Sequence, residues 1–311
     1  MINVGSISDQ TLGGIVTTAT HGTGINYGVI STHVMGLSLL LADGSRVFCS
    51  RQERNDLFIA SICGLGSTGL ILTVTLEVEP AFRLKEVQKS MQFHECVRTL
   101  DSLVTASEHV RFWWFPAADT MRVSSADRTV EVSSWAHIIL ISNLIPFQPA
   151  KLVGSWLWHS FFGFHVLQSL LFVARYFLSL NIFIGRFAAW LVSTEVITID
   201  DSFRIFNLEC RVGESVFRLS SITDPILQYA QHTTEWAIPY ENTKACLYDL
   251  HEWIMQELSD PKGLRPHFPI EVRFSDSDDI WLSPSNGQKT CWIGIVQFKY
   301  VTMLFCLFCI V

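Results

Sequence analysis

Two stretches of this sequence hold residues whose types and spacing could do chemistry. The first, GSISDQTLGGIVTTATHGTG (residues 5–24), gathers glycines, threonines and one histidine into a segment too small and too polar to fill a core. A backbone without Cβ atoms lets N–H groups approach a ligand closely, and threonine hydroxyls add donors, so such a loop suits the anionic and polar groups of a nucleotide. It is neither a Walker loop nor GxGxxG, and an ordinary glycine-rich connection is the plain alternative. The second is Glu271-Val272-Arg273. On a strand, positions i and i+2 share a face, so Glu271 and Arg273 enter one pocket while Val272 turns away. An arginine fork that donates to substrate oxygens, beside a carboxylate that accepts from hydroxyls, would orient and polarise a polyhydroxylated substrate. A salt bridge across the face of a sheet is the alternative.

Other candidates carry less. His21 has no Asp, Glu, Cys or second His at ligand spacing, so no metal site is assigned. His109, His232 and His267 are isolated and read as structural. Trp113-Trp114 lies in an alternating strand, which predicts one ring in the core and the other on a second surface. Asp276, Asp278 and Asp279 lack the EF-hand pattern and read as a solvated turn. The eight cysteines form no CxxC zinc pair; Cys306 and Cys309 stand in an apolar CLFC run, so a reduced intracellular setting is expected.

These residues need elements to position them. The 311 residues and 49% hydrophobic content allow two domains with a substantial core. A net charge of −7, with basic residues scattered, argues against a nucleic-acid partner. The opening MINVGSISD shows no signal-peptide pattern. Residues 33–50 read as two strands around an Asp43-Gly44 hairpin turn, and residues 63–82 as a glycine-rich turn leading into a strand stopped by Pro80. The fold class is therefore α+β.

GSISDQTLGGIVTTATHGTG, LLLADGS and GLGSTGLILTVTLEVEP together resemble the second half of the FAD-binding domain of the vanillyl-alcohol-oxidase-type flavoproteins. HVRFWWFP (109–116), EWAIPYE (235–241) and PIEVRFSDSDDIWLSP (269–284) resemble the aldonolactone oxidases within that superfamily. The resemblance implies residues 1–85 as the C-terminal half of a PCMH-type FAD-binding domain and 86–300 as a mixed α/β substrate (cap) domain. It implies FAD as cofactor, lined by Ser6, Thr11, Gly14, Thr18, Ala19, Thr20, His21 and Ile71, with Glu271 and Arg273 catalytic beside the flavin ring. The reaction implied is oxidation of D-arabinono-1,4-lactone or a related aldonolactone, with O2 as acceptor and H2O2 as product.

The sequence also departs from that family. The upstream half of the flavin cradle and a downstream lysine motif are expected to lie outside it, so an uncovered β edge, exposed apolar surface and weak flavin retention are expected. Residues 132–148 interrupt a continuous family segment and read as a translated intron, and 301–311 as a non-family apolar tail. Residues 152–174 hold no Asp, Glu, Lys or Arg but are broken by His159, His165, Gln168 and Ser169, so an amphipathic membrane-surface segment within 152–192 is expected rather than a span. The resemblance adds a mitochondrial membrane location. The competing readings are a catalytically dead membrane-associated fragment and a related FAD alditol oxidase.

Overall fold

The computed structural model describes residues 3–5, 10–131, 170–174, 176–202, 205–206, 231–266 and 269–298. Ser6, His267, the 132–148 insertion and the 301–311 tail lie outside the described residues. Two antiparallel sheets organise the rest, with helices set against them, so the fold is α+β.

The smaller sheet has the order β2-β1-β3, from β1 (Val34–Leu40), β2 (Arg46–Ser50) and β3 (Leu70–Leu76). Its hairpin turn forms where Asp43-Gly44 predicts: Gly44 takes φ +83°, and Asp43 Oδ1 accepts from the Ser45 amide at 2.8 Å. β3 ends at Leu76, ahead of Pro80. Two short helices, α1 (Leu12–Thr17) and α2 (Asn55–Ser61), place Ile15, Val16, Phe58 and Ile59 with Leu37 and Leu39 in one core. Met35, Phe48, Leu70 and Leu72 stay exposed.

The larger sheet runs β7-β4-β6-β5-β9-β10-β8, built from β4 (Arg83–Gln92), β5 (His109–Phe115), β6 (Thr120–Thr129), β7 (Val196–Asp201), β8 (Gln231–Pro239), β9 (Ile270–Ser275) and β10 (Thr290–Phe298). Strand alternation splits its side chains cleanly. Val110, Phe112 and Trp114 of β5 lie with Val272 and Phe274 of β9 in the main core, under α3 (Phe93–Arg98), α4 (Leu100–Val104) and α6 (Thr243–Ser259). α6 is amphipathic: Leu247, Leu250, Ile254 and Leu258 recur at helical spacing and meet that core. A further helix, α5 (Leu180–Leu191), packs near the 3-10 turn Pro116–Ala118, and Arg186 Nε donates to the Ala117 carbonyl at 3.0 Å.

The two sheets meet directly. Ile280 and Trp292, from the larger unit, belong to the smaller unit's core. Arg51 at the end of the small hairpin grips Asp279 through two hydrogen bonds of 2.6 and 2.8 Å. Asp278 accepts from the Ile280 amide and the Ser283 hydroxyl, so the acidic cluster is a turn network.

Candidate active site

The core-facing side of β9 carries Val272 and Phe274, which turns Glu271 and Arg273 to the other face, as their spacing predicts. The register then fixes their neighbours. Trp113 on β5 and Gly294 on β10 lie opposite Glu271, Trp292 lies opposite Arg273, and Glu235 on β8 lies opposite Gly294. A row Trp113, Glu271, Gly294, Glu235 therefore crosses four strands on one face. A Cβ at Gly294 would sit 3.6 Å from Glu271 Cβ and 3.8 Å from Glu235 Oε1, ordinary contact distances, which puts this position between the two carboxylates.

Arg273 bridges the two carboxylates. Its Nη2 donates to Glu235 Oε1 at 2.8 Å and its Nε lies 3.4 Å from Glu271 Oε1. Arg111, on the same face of β5, brings Nη1 to 3.9 Å from Glu271 Oε1. Glu271 Oε1 is buried and accepts no hydrogen bond among the described residues, which leaves an acceptor at the heart of the cluster.

The small unit contributes His21. Its ring stacks on Trp292 at 3.9 Å with 15° between planes, and Nε2 lies 3.3 Å from Glu235 Oε2. Burial, with help from Arg273, pushes the His21 pKa below its ordinary 6.5 despite Glu235, so the ring is neutral near pH 7. Burial alone would raise Glu235, but His21 and Arg273 together outweigh it and hold the carboxyl down to about 2.

Of the other loop residues, Ala19 is buried in the left-handed region (φ 52°), and Thr18 Oγ1 and Thr20 Oγ1 lie 3.1 Å apart beside it. Thr11 is the N-cap of α1, accepting from the Gly14 amide at 3.2 Å, and Thr18 Oγ1 donates to the Gly14 carbonyl at 2.8 Å. Some of the loop's polarity is thus spent on its own backbone. Ile71, on β3, packs against the small core.

Arg111, Glu235 and Trp292 were not singled out by the sequence reading. Arg111 and Glu235 stand inside HVRFWWFP and EWAIPYE, and the signal was available: each is a charged residue in an alternating strand, at a position that faces away from the apolar set. His109 is buried, with Nδ1 2.9 Å from the Thr23 carbonyl and its ring stacked on Tyr27. Trp114 is in the core, and Trp113 is half-buried on the opposite face.

These shifts set a pH dependence. Burial lowers both His21 and His109 below 6.5 in the folded chain, so between those lowered values and 6.5 the unfolded chain binds more protons. Stability is therefore complete above about pH 6.5 and falls as the pH drops through it. Glu235, at about 2 when folded against an ordinary 4.5, adds a second loss below 4.5. Urea midpoints should be lower at about pH 5.5 than at about pH 7.5, and His21→Gln should flatten that difference. Equal midpoints in the parent protein would contradict it.

The sequence matches the family described as D-arabinono-1,4-lactone oxidase over residues 74–220 and 224–305. It is 33% identical to the L-gulonolactone oxidase of Scyliorhinus torazame over 298 residues, covering 96% of this chain and 59% of that protein. It is 30% identical to the D-arabinono-1,4-lactone oxidase of Yarrowia lipolytica over 299 residues, covering 93% of this chain and 51% of that protein. The chain thus spans between about half and three-fifths of the length of these curated relatives. Among solved structures, a solvent-stable cholesterol oxidase shares the fold with a TM-score of 0.58 at 16% identity, over 95% of this chain and 60% of that one.

Proposed function

The chain belongs to the D-arabinono-1,4-lactone oxidase family, and from that premise we propose that it oxidises an aldono-1,4-lactone, D-arabinono-1,4-lactone first, with FAD as cofactor and O2 as final acceptor giving H2O2. The observation that carries this reading is Arg273, held 2.8 Å from Glu235 and 3.4 Å from Glu271 on one sheet face, with Glu271 Oε1 buried and accepting no hydrogen bond among the described residues.

Oxidising a secondary alcohol requires its O–H proton to leave as hydride departs from carbon. Glu271 Oε1 accepts the hydrogen bond of the reacting hydroxyl. Arg273 donates to the lactone oxygens and offsets negative charge growing on the alkoxide. Glu235, held ionised, fixes the guanidinium from its far side, and Arg111 does the same for Glu271. Neutral His21, stacked on Trp292, sets its Nε2 beside Glu235 at 3.3 Å and so helps to hold that carboxylate in place.

The residues present fit a flavin. The paired Thr18 and Thr20 hydroxyls and the left-handed turn at Ala19 directly precede His21, which lies against the Glu235 and Arg273 face. Thr11, Gly14, Thr18, Ala19, Thr20, His21 and Ile71 would line it. When bound, FAD supplies the hydride-accepting ring that no amino-acid side chain provides. In this reading residues 1–85 form the second half of a PCMH-type FAD-binding domain and 86–300 the substrate domain.

The test is the visible absorption of the chain loaded with FAD, followed anaerobically on adding D-arabinono-1,4-lactone, with L-gulono-1,4-lactone alongside. Bleaching of the flavin band, then recovery with H2O2 release on admitting air, is expected. A chain that retains no flavin on gel filtration, or whose flavin neither lactone bleaches, would be the inactive fragment instead. For 132–148, source transcripts lacking the segment would support its reading as a translated intron.

We also propose contact with a membrane surface through the 152–192 region, its mitochondrial location resting on the family resemblance alone. Among the described residues no helix is long and apolar enough to cross a membrane. Supporting a surface mode, α5 carries an outward aromatic ladder, Phe183 on Phe187 at 6.2 Å and Phe187 on Trp190 at 5.9 Å, with Tyr176 and Phe177 exposed nearby. The paired variant Phe183→Ser and Trp190→Ser should cut co-sedimentation with phosphatidylcholine vesicles several-fold, while Phe48→Ser, on the small sheet, should not. Unchanged sedimentation of the paired variant would sink the idea, and fractionation with the cytosol would sink the location.

A further inference from the structure

We propose that His94, Asp119 and His251 form a site for one divalent transition-metal ion of the zinc class, on the face of the large sheet opposite Glu271 and Arg273. The three residues come from separate segments: His94 from α3, Asp119 from the turn before β6, and His251 from α6. No sequence spacing connects them. Their ligand atoms nevertheless all lie within 4.8 Å of one another, and His251 Nε2 stands 2.9 Å from Asp119 Oδ1.

The packing around them holds these positions. The His251 ring stacks on Phe93 at 4.3 Å and on the buried Trp114 at 5.9 Å. His94 meets His251 edge-on at 4.8 Å, with 67° between ring planes. Asp119 has a left-handed backbone (φ 54°), and its carbonyl accepts from the Phe93 amide at 3.1 Å, which ties the turn to the start of the helix bearing His94. Two of the three ligands are thus fixed, and exposed His94 supplies the adjustment.

The chemistry of the set selects the ion. Ligand atoms about 2.0–2.2 Å from a tetrahedral zinc lie ~3.4 Å apart, so the widest separation must close by ~1.4 Å, within reach of a side-chain rotation at His94. Two imidazoles and one carboxylate suit zinc, cobalt or nickel and not calcium or magnesium, which prefer oxygen ligands. Water completes the fourth position on the exposed side. The ion would pin α6 to the turn between β5 and β6, and binding only the folded chain it would raise stability by mass action. The competing description is an ion pair between His251 and Asp119 with a histidine alongside.

The test is titration of the chelator-treated full chain with Co2+ and Zn2+. One ion per chain is expected, with weak cobalt ligand-field bands, no sulfur charge-transfer band, and a rise in melting temperature of several degrees. His94→Gln and His251→Gln should each weaken binding at least tenfold and remove the thermal shift. His94 is exposed, so its replacement leaves the core intact, and a far-ultraviolet dichroism spectrum checks this. Binding unchanged in His94→Gln, a strong sulfur-to-cobalt band, or no bound ion at micromolar concentration would each overturn the site.

Discussion

Replacing Arg273 with alanine is expected to lower kcat/KM for the lactone by about 10²–10³-fold, the size of loss that follows removal of one preorganised donor at developing charge. Arg273 stands between two carboxylates, 2.8 Å from one and 3.4 Å from the other, and its loss removes both the substrate fork and their shared counter-charge. Breaking a fully buried pair costs about 3–5 kcal/mol, and Glu235 is half-exposed, so a stability loss of about 2 kcal/mol is expected. Arg273→Lys keeps the charge without the planar fork and should fall between. Adding Glu235→Gln to Arg273→Ala should recover part of the stability and none of the activity, because it removes an uncompensated charge and restores no donor. An alanine variant within a few-fold of the parent would remove Arg273 from the reaction.

Trp114→Ala is expected to cost about 3–5 kcal/mol, the largest single loss of stability foreseen for this chain. Trp114 is fully buried, packs on Phe93 at 4.7 Å, and anchors the strand whose other face carries Arg111 and Trp113. Its indole Nε1 is buried without a hydrogen-bond partner among the described residues. Trp114→Phe keeps most of the aromatic volume and removes that unsatisfied donor, so its cost should stay below about 1.5 kcal/mol. Urea unfolding of both variants measures the contrast. Equal costs would mean that the indole donor finds a partner, and a silent alanine variant would mean that this core is not as described. Because β5 links core to site, Trp114→Ala should also lower lactone turnover in the folded fraction.

Local rules made much of this protein legible. A two-residue period assigns Glu271 and Arg273 to one face and Val272 and Phe274 to the other, whatever the strand pairs with. The same rule separates Trp113 from Trp114, and Asp43-Gly44 announces its turn because glycine adopts a positive φ at no steric cost. Several separate motifs carried the family and with it the expectation of a lactone and a flavin. These readings depend on residues close together in the chain, where the backbone itself sets the geometry.

Only the tertiary structure decided which distant residues share the face with Glu271 and Arg273. Glu235 arrives because β8 pairs with β10 in the register that sets it opposite Gly294; His21 arrives because the small unit's core takes in Trp292. A carboxylate's charge state and an imidazole's neutrality then follow from burial and from those neighbours, neither of which a linear pattern records. The same holds for His94, Asp119 and His251, brought together where α3, α6 and the turn before β6 meet. Strand parity is local and survives in the sequence. Strand pairing and helix docking are long-range choices of the hydrophobic core, and the chemistry of both sites depends on them.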